Sequence, residues 1–238
     1  MDIKYKQIFI DLDDTIWDFR ANSKESLRDL FFSEMDELIP YKENFDLFFR
    51  HYVQRNQELW TQYGLGQITK EYLSVERFLS PLRAIEAKNI EELAEKMNAT
   101  YLARLATKSA LIPHSREFLD FCVEKNLPMT IISNGFEEVQ YRKMRSAGIE
   151  HYFEHIILSD KAGALKPSKA IFEHALKIND ARKEEVLMIG DSFEADIMGA
   201  ANTGIDAIYF NRNNRQPELP ERVWMIDDFR DIYKFMER

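Results

Sequence analysis

The sequence holds a single cysteine, Cys122, in 238 residues. One thiol excludes any intramolecular disulfide and points to a reducing compartment. A chain of this length can bury a core large enough to stand without covalent staples. Cys122 falls in the apolar helical stretch 118–123 and reads as a buried filler. Long hydrophobic runs are missing too. None approaches the ~20 residues of a membrane-spanning helix. The opening Met1-Asp2-Ile3-Lys4-Tyr5-Lys6 leads to only Ile8-Phe9-Ile10 before an acidic cluster, which does not read as a signal peptide. The expected setting is cytoplasmic, with no membrane contact. Positive charge is also short, with 32 Lys and Arg against 41 Asp and Glu and a formal net charge of −9. Such a chain repels polymeric nucleic acid, whose phosphates a binding protein must neutralise. A small phosphorylated metabolite stays open as a partner, because one metal ion and one lysine reverse the field locally.

Five short apolar runs read as buried strands: Ile8-Phe9-Ile10, Met129-Thr130-Ile131-Ile132, Ile156-Ile157-Leu158, Val186-Leu187-Met188-Ile189 and Ala207-Ile208-Tyr209-Phe210. Val223-Trp224-Met225-Ile226 is a weaker sixth. Continuous apolar runs, rather than alternating ones, suit parallel strands covered on both faces. Helical patterns lie between most of them, such as 169–178 with Ile171, Phe172, Ala175 and Leu176 on one stripe. The class predicted is α/β, a Rossmann-like three-layer core around a parallel sheet. The rhythm breaks between the first two strands. There Phe45, Phe48, Phe49, Tyr52 and Val53 recur at helical spacing, and Gly64-Leu65-Gly66 interrupts the pattern. An inserted all-helical domain is expected at 16–111, with the core made of 1–15 and 112–238. The loops at either end of the insertion would act as hinges, and 211–220, polar with two prolines, reads as a loop.

Polar residues punctuate the strand ends, and in open α/β sheets ligands bind at that rim. Asp11-Leu12-Asp13-Asp14-Thr15 follows the first strand. Two carboxylates so close raise one another's pKa, and a cation relieves the strain. The pair suggests one carboxylate as metal ligand and nucleophile, the other as proton carrier. A solvated acidic turn is the plain alternative. Ser133-Asn134-Gly135 follows the second strand, where a small hydroxyl and adjacent backbone N–H groups can hold a phosphate oxygen or merely cap a helix. Lys166-Pro167 places the lysine just before a helix, with proline suited to the first helical turn. Gly190-Asp191-Ser192-Phe193-Glu194-Ala195-Asp196 ends the fourth strand. Asp191 can complete an oxygen-rich Mg²⁺ site with Asp11. Ser192 and Asp196 would support it from behind, although an ordinary N-cap explains the same residues.

Taken together and in this order, the four motifs resemble those of the haloacid dehalogenase superfamily over nearly the whole chain, with no departure from the catalytic pattern. The insertion resembles the helical cap of one large branch. The resemblance implies in-line attack on phosphorus by Asp11 and an aspartyl-phosphate intermediate. It implies Asp13 as general acid and then base, and Mg²⁺ on Asp11, Asp191 and the backbone carbonyl of Asp13. Ser133, Asn134 and Lys166 would hold the phosphoryl group, with Thr15 orienting it. Asp13 favours phosphate esters over haloacids, because an alkoxide leaving group needs a proton and halide does not. Phosphonate cleavage would need a Schiff-base lysine in the cap; Lys70 is available by sequence, though it reads as a solvated lysine.

The segment Ile16-Trp17-Asp18-Phe19-Arg20-Ala21-Asn22 resembles the same stretch of bacterial pyrimidine nucleotidases. Trp17, Phe19, Asn22, Trp60, Tyr63 and Arg77 are candidates for specificity, and aromatic rings suit stacking on a base. A nucleoside 5′-monophosphate is therefore the expected substrate, for a monomer or homodimer. Sugar phosphates and phosphoglycolate compete with it, and a non-catalytic binding protein on the same fold is a different class of answer.

Overall fold

A computed structural model describes residues 3–236. The chain divides into two compact units, one running to Phe19 and resuming at Ser109, the other Arg20–Lys108. The first unit contains all six strands: β1 (Gln7–Ile10), β2 (Met129–Ser133), β3 (His155–Leu158), β4 (Val186–Gly190), β5 (Asp206–Phe210) and β6 (Val223–Ile226). Every apolar run expected to be a strand is one. Their order is β3-β2-β1-β4-β5-β6, and every pairing is parallel. After β1 the chain builds outward on one side through β2 and β3, then returns to the other side of β1 at β4. The crevice at the carboxyl ends of β1 and β4 is therefore the switch point where such sheets bind ligands.

The helices, in chain order, are α1 (Phe19–Asp29), α2 (Phe45–Gly64), α3 (Lys70–Ala84), α4 (Ile90–Leu105), α5 (Ser115–Glu124), α6 (Glu137–Ser146), α7 (Ser159–Ala162), α8 (Lys169–Ile178), α9 (Met198–Thr203) and α10 (Tyr233–Met236). Alternation along each strand sends side chains to opposite faces of the sheet. Phe9, Met188, Ala207 and Tyr209 meet Ile171, Phe172 and Ala175 of α8 and Ala200 of α9 in one buried cluster. Phe210 faces the other way and touches Phe229, which in turn packs on Phe118 of α5. Helices thus cover both faces, giving the three layers expected. Cys122 is buried on α5, where loss of hydration pushes its thiol up to about 12.

The second unit is helical throughout its regular elements. Phe45, Phe48, Phe49 and Tyr52 stack along α2 at spacings of three and four, with Phe78 and Tyr101 from α3 and α4 closing the core. Tyr52 Oη donates to Tyr101 Oη at 2.8 Å, which satisfies a buried hydroxyl pair. The break at Gly64-Leu65-Gly66 separates α2 from α3, and Thr69 starts α3 by accepting from Tyr72 N at 3.2 Å. No helix among the described residues is long and apolar enough to cross a membrane.

Candidate active site

β1 stops at Ile10, and Asp11 is the first residue beyond it, its N–H still donating to Ile189 O of β4 at 2.9 Å. The chain then turns sharply. Asp14 takes a left-handed conformation (φ +58°), and its N–H donates to Trp17 O at 2.8 Å. From there Asp18 N donates to Ala110 O, and Ile112 N to Ile16 O, so the segments leading out to the insertion and back pair with each other inside the first unit. Thr15, fully buried, donates to Asp11 Oδ2 at 3.4 Å and so orients the carboxylate.

Lys166 lies behind Asp11. Its Nζ is 2.6 Å from Asp11 Oδ1, 2.6 Å from Ile132 O and 2.7 Å from Asp196 Oδ1. The Lys166–Pro167 bond is cis, and α8 begins only at Lys169, capped by Ser168. Pro167 therefore precedes the helix cap and does not occupy the first helical turn. Asn134 fixes the lysine's backbone from two sides: its Nδ2 donates to Lys166 O at 2.9 Å, and its Oδ1 accepts from Lys166 N at 2.8 Å. The Asn134 side chain is thus committed to holding the lysine, which leaves backbone N–H groups for a phosphate. Ser133 Oγ accepts from Gly135 N at 3.0 Å and from Gln140 Nε2 at 2.7 Å. With both lone pairs occupied, the hydroxyl proton is left to donate to a ligand.

β4 ends at Gly190, followed by Asp191. Ser192 caps the next helical turn by accepting from Ala195 N, and its own N–H donates to Asp196 Oδ2 at 3.0 Å. A Cβ on residue 190 would lie 2.3 Å from Asp196 Oδ2, so only glycine lets Asp196 approach. Oxygen atoms of Asp11, Asp191 and Asp196 lie within 4.8 Å of one another. Three carboxylates share one ammonium, and Asp191 has no hydrogen bond or ion pair to a protein group among the described residues. Asp11 is raised to about 7: loss of hydration drives it up, Lys166 works against this, and the charges of Asp196 and Asp13 add to the rise. Asp191 is also pushed well above the usual carboxylate range, first by loss of hydration and then by Asp11, Asp196 and Asp14. Lys166 would be lowered by burial, but Asp11 and Asp196 outweigh that and raise it. A surplus of buried anionic oxygen is a donor set that fits a hard divalent cation. Asp196 is already held by Lys166 and Ser192, so Asp11 and Asp191 are the pair best placed to ligate one.

A family model of haloacid dehalogenase-like hydrolases matches residues 5–204. This chain belongs to the haloacid dehalogenase-like hydrolases. Pyrimidine 5′-nucleotidase YjjG of Escherichia coli (strain K12) is 29% identical over 236 residues, covering 98% of this chain and 99% of that protein. Pyrimidine 5′-nucleotidase PynA of Streptococcus pneumoniae is 28% identical, covering 95% and 94%. Among solved structures, the putative HAD-hydrolase YfnB from Bacillus subtilis, bound to magnesium, superposes with a TM-score of 0.83 at 25% identity, covering 98% and 99%.

Within this hydrolase the expected residues do not all share one environment. Asp11, Ser133, Lys166, Asp191 and Asp196 converge at the rim. Asp13 sits beside them, accepting from Gln140 and Lys143, and Gln140 links it to Ser133. Trp17 is fully buried and pairs with Leu111. Asn22 is buried on α1. Arg77, 2% exposed, donates to Asn98 Oδ1 at 2.6 Å and lies against the Phe78 and Tyr101 rings, inside the helical unit. Trp60 and Tyr63 are half-buried, edge to face at 5.7 Å. Gln140, Lys143 and Arg212 were not singled out in the sequence. Arg212, from the loop after β5, is 2.6 Å from Asp14 and 3.2 Å from Asp18, fastening the turn that follows the nucleophile.

Proposed function

We propose that this hydrolase is a Mg²⁺-dependent phosphatase of small phosphate monoesters, acting through an aspartyl phosphate on Asp11, with a nucleoside 5′-monophosphate as the preferred substrate. The observation that carries the chemistry is the cluster of Asp11, Asp191 and Asp196, the first and last buried and Asp191 half-buried, around the ammonium of Lys166. Bound between Asp11 and Asp191, with the Asp13 backbone carbonyl, Mg²⁺ would shield the attacking carboxylate and stabilise charge on the phosphoryl oxygens.

The remaining work falls to the chain's own groups. Asp11 Oδ attacks phosphorus in line, and the ester P–O bond breaks as Asp13 gives its proton to the leaving oxygen. Asp13, now ionised, takes a proton from water. The water oxygen bonds to phosphorus, the Asp11–phosphorus bond breaks, and inorganic phosphate leaves. Ser133 donates to a phosphoryl oxygen, and Lys166 neutralises charge on both nucleophile and phosphate. Thr15 and Asn134 hold Asp11 and Lys166 in place.

Substrate choice belongs to the helical insertion, 16–111. Within the insertion, the half-buried Trp60–Tyr63 pair is an aromatic surface of the kind that stacks on a base. Full-length similarity to two pyrimidine 5′-nucleotidases supports a nucleotide over a sugar phosphate. Phosphate release from pyrimidine and purine monophosphates, hexose phosphates, phosphoglycolate and an aryl phosphate tests this directly, with and without Mg²⁺ and with Asp11→Asn as control. Mg²⁺-dependent release, lost in the variant and fastest in kcat/KM for a nucleotide, is expected. No release from any ester, the aryl phosphate included, would sink the reading.

A further inference from the structure

Asp13 is held from two sides by α6. Lys143 Nζ lies 2.9 Å from its Oδ1 and 3.1 Å from its Oδ2, and Gln140 Nε2 donates to Oδ2 at 2.8 Å. Both donors are buried, Gln140 fully and Lys143 at 4% exposure. They are three residues apart, on one face of the helix. The same Gln140 amide donates to Ser133 Oγ at 2.7 Å, so one carboxamide joins the proton carrier to the phosphate-holding hydroxyl. Residue 135 makes room for it: a Cβ there would lie 2.1 Å from Gln140 Nε2 and 2.4 Å from its Cδ. The Lys143 ammonium is also 4.7 Å from the Trp17 ring and 5.5 Å from the Phe19 ring. Carboxylate and aromatic faces together confine it to one position.

A buried lysine and a buried amide are costly to place, and an apolar pair would fill the same volume with less desolvation. What these two residues fix is an orientation. Asp13 must point its carboxyl first at the leaving oxygen and then at the incoming water, and small misplacements of a proton-transfer group reduce rate sharply. We propose that Gln140 and Lys143 are positioning residues for Asp13, setting the carboxylate's geometry for both proton transfers and linking it to Ser133. This rests on the phosphatase reading above.

The test compares Lys143→Met, Lys143→Arg and Gln140→Leu with the wild type and Asp13→Asn. The substrates are an alkyl phosphate, such as the best nucleotide of the panel, and an aryl phosphate whose leaving group needs no proton. For Lys143→Met and Gln140→Leu, kcat on the alkyl ester should fall about tenfold to a hundredfold, within the range one general acid supplies, with KM little changed. On the aryl ester both should show a burst of about one equivalent of aryl alcohol and then a slow phase. Aspartyl phosphate still forms there, but its hydrolysis needs Asp13. Lys143→Arg, which keeps a charged two-point donor, should recover most of the alkyl rate. Wild-type kinetics in both Lys143→Met and Gln140→Leu would overturn the proposal. So would an equal loss on alkyl and aryl esters without a burst, the pattern of a merely damaged fold. Should Lys143→Met fail to fold, Gln140→Leu carries the same comparison. A wild type inactive on every ester removes the phosphatase reading, and this proposal with it, and is seen in the wild-type assay alone.

Discussion

Replacing Asp191 by Asn should stabilise the metal-free protein while destroying its response to Mg²⁺. Asp191 faces Asp11 and Asp196 at no more than 4.8 Å, with Lys166 as the opposing charge among the described residues. At an effective dielectric of about 20, each such pair is worth ~3–4 kcal/mol. Lys166 cancels about one repulsion, leaving a second of ~3 kcal/mol together with the lost hydration. Asp191 is only half-buried, and part of the strain is relieved by proton uptake, which brings the expected gain down to ~1–3 kcal/mol. For a chain of this size that is a rise in Tm of ~2–10 °C. The pH dependence has a definite sign. Asp191 is raised in the folded state, so folding is favoured while it stays protonated and loses stability as pH climbs above the ordinary carboxylate range. The advantage of Asn should therefore be absent near pH 4 and largest near pH 8. Saturating Mg²⁺ should then close or reverse the gap, because a ligand at a hundred times its Kd adds ~2.7 kcal/mol to the wild type alone. Thermal melts of both proteins at pH 5 and pH 8, with and without Mg²⁺, decide the matter. A variant that melts below the wild type in metal-free buffer at pH 8, or that keeps the full Mg²⁺ shift, would show that these carboxylates do not form a strained cation site.

Two further outcomes follow from packing. Gly190→Ala would bring a methyl to 2.3 Å from Asp196 Oδ2 and 2.5 Å from its Cβ and Cγ; denaturant unfolding should register a loss of ~1–3 kcal/mol, and an unchanged midpoint would contradict the close approach. Cys122, fully buried and raised to about 12 by loss of hydration, should resist a maleimide at pH 8 in the native protein and react once unfolded. Native-state labelling within minutes would place it elsewhere.

The sheet was legible because buried parallel strands leave short, nearly continuous apolar runs of three or four residues, weakest at the last strand. Asp11, Ser133 and Asp191 were legible because strand ends in this architecture share a rim. Lys166 was found through its proline, although the helix it precedes starts later than that proline suggested. The grip on Asp13 was not visible. Helix α6, Glu137–Ser146, is so polar that nothing in its sequence separates the buried Gln140 and Lys143 from exposed neighbours such as Glu138 and Arg142. The hold of Arg212 on Asp14 and Asp18 was hidden for a related reason: it comes from a polar loop about two hundred residues away, and no local pattern encodes that meeting. Arg77, a candidate for substrate choice by sequence, is engaged by Asn98 and the rings of its own helical unit, contacts that no local pattern foretold.

The position of β1 also bears on how the molecule is made. This strand leaves the ribosome well before either of its neighbours in the sheet. Gln7 pairs with Val186, so at common synthesis rates the nucleophile's strand waits on the order of ten to forty seconds for its second partner. Over that interval Ile8, Phe9 and Ile10, with an edge still unpaired, are exposed to any other strand nearby. The insertion, a contiguous segment held by contacts between successive helices, has no such delay and is free to fold as it emerges. Its interposition between β1 and β2 therefore has a cost in biogenesis: the helical unit that separates them lengthens the period in which the nascent chain depends on being kept apart from its neighbours.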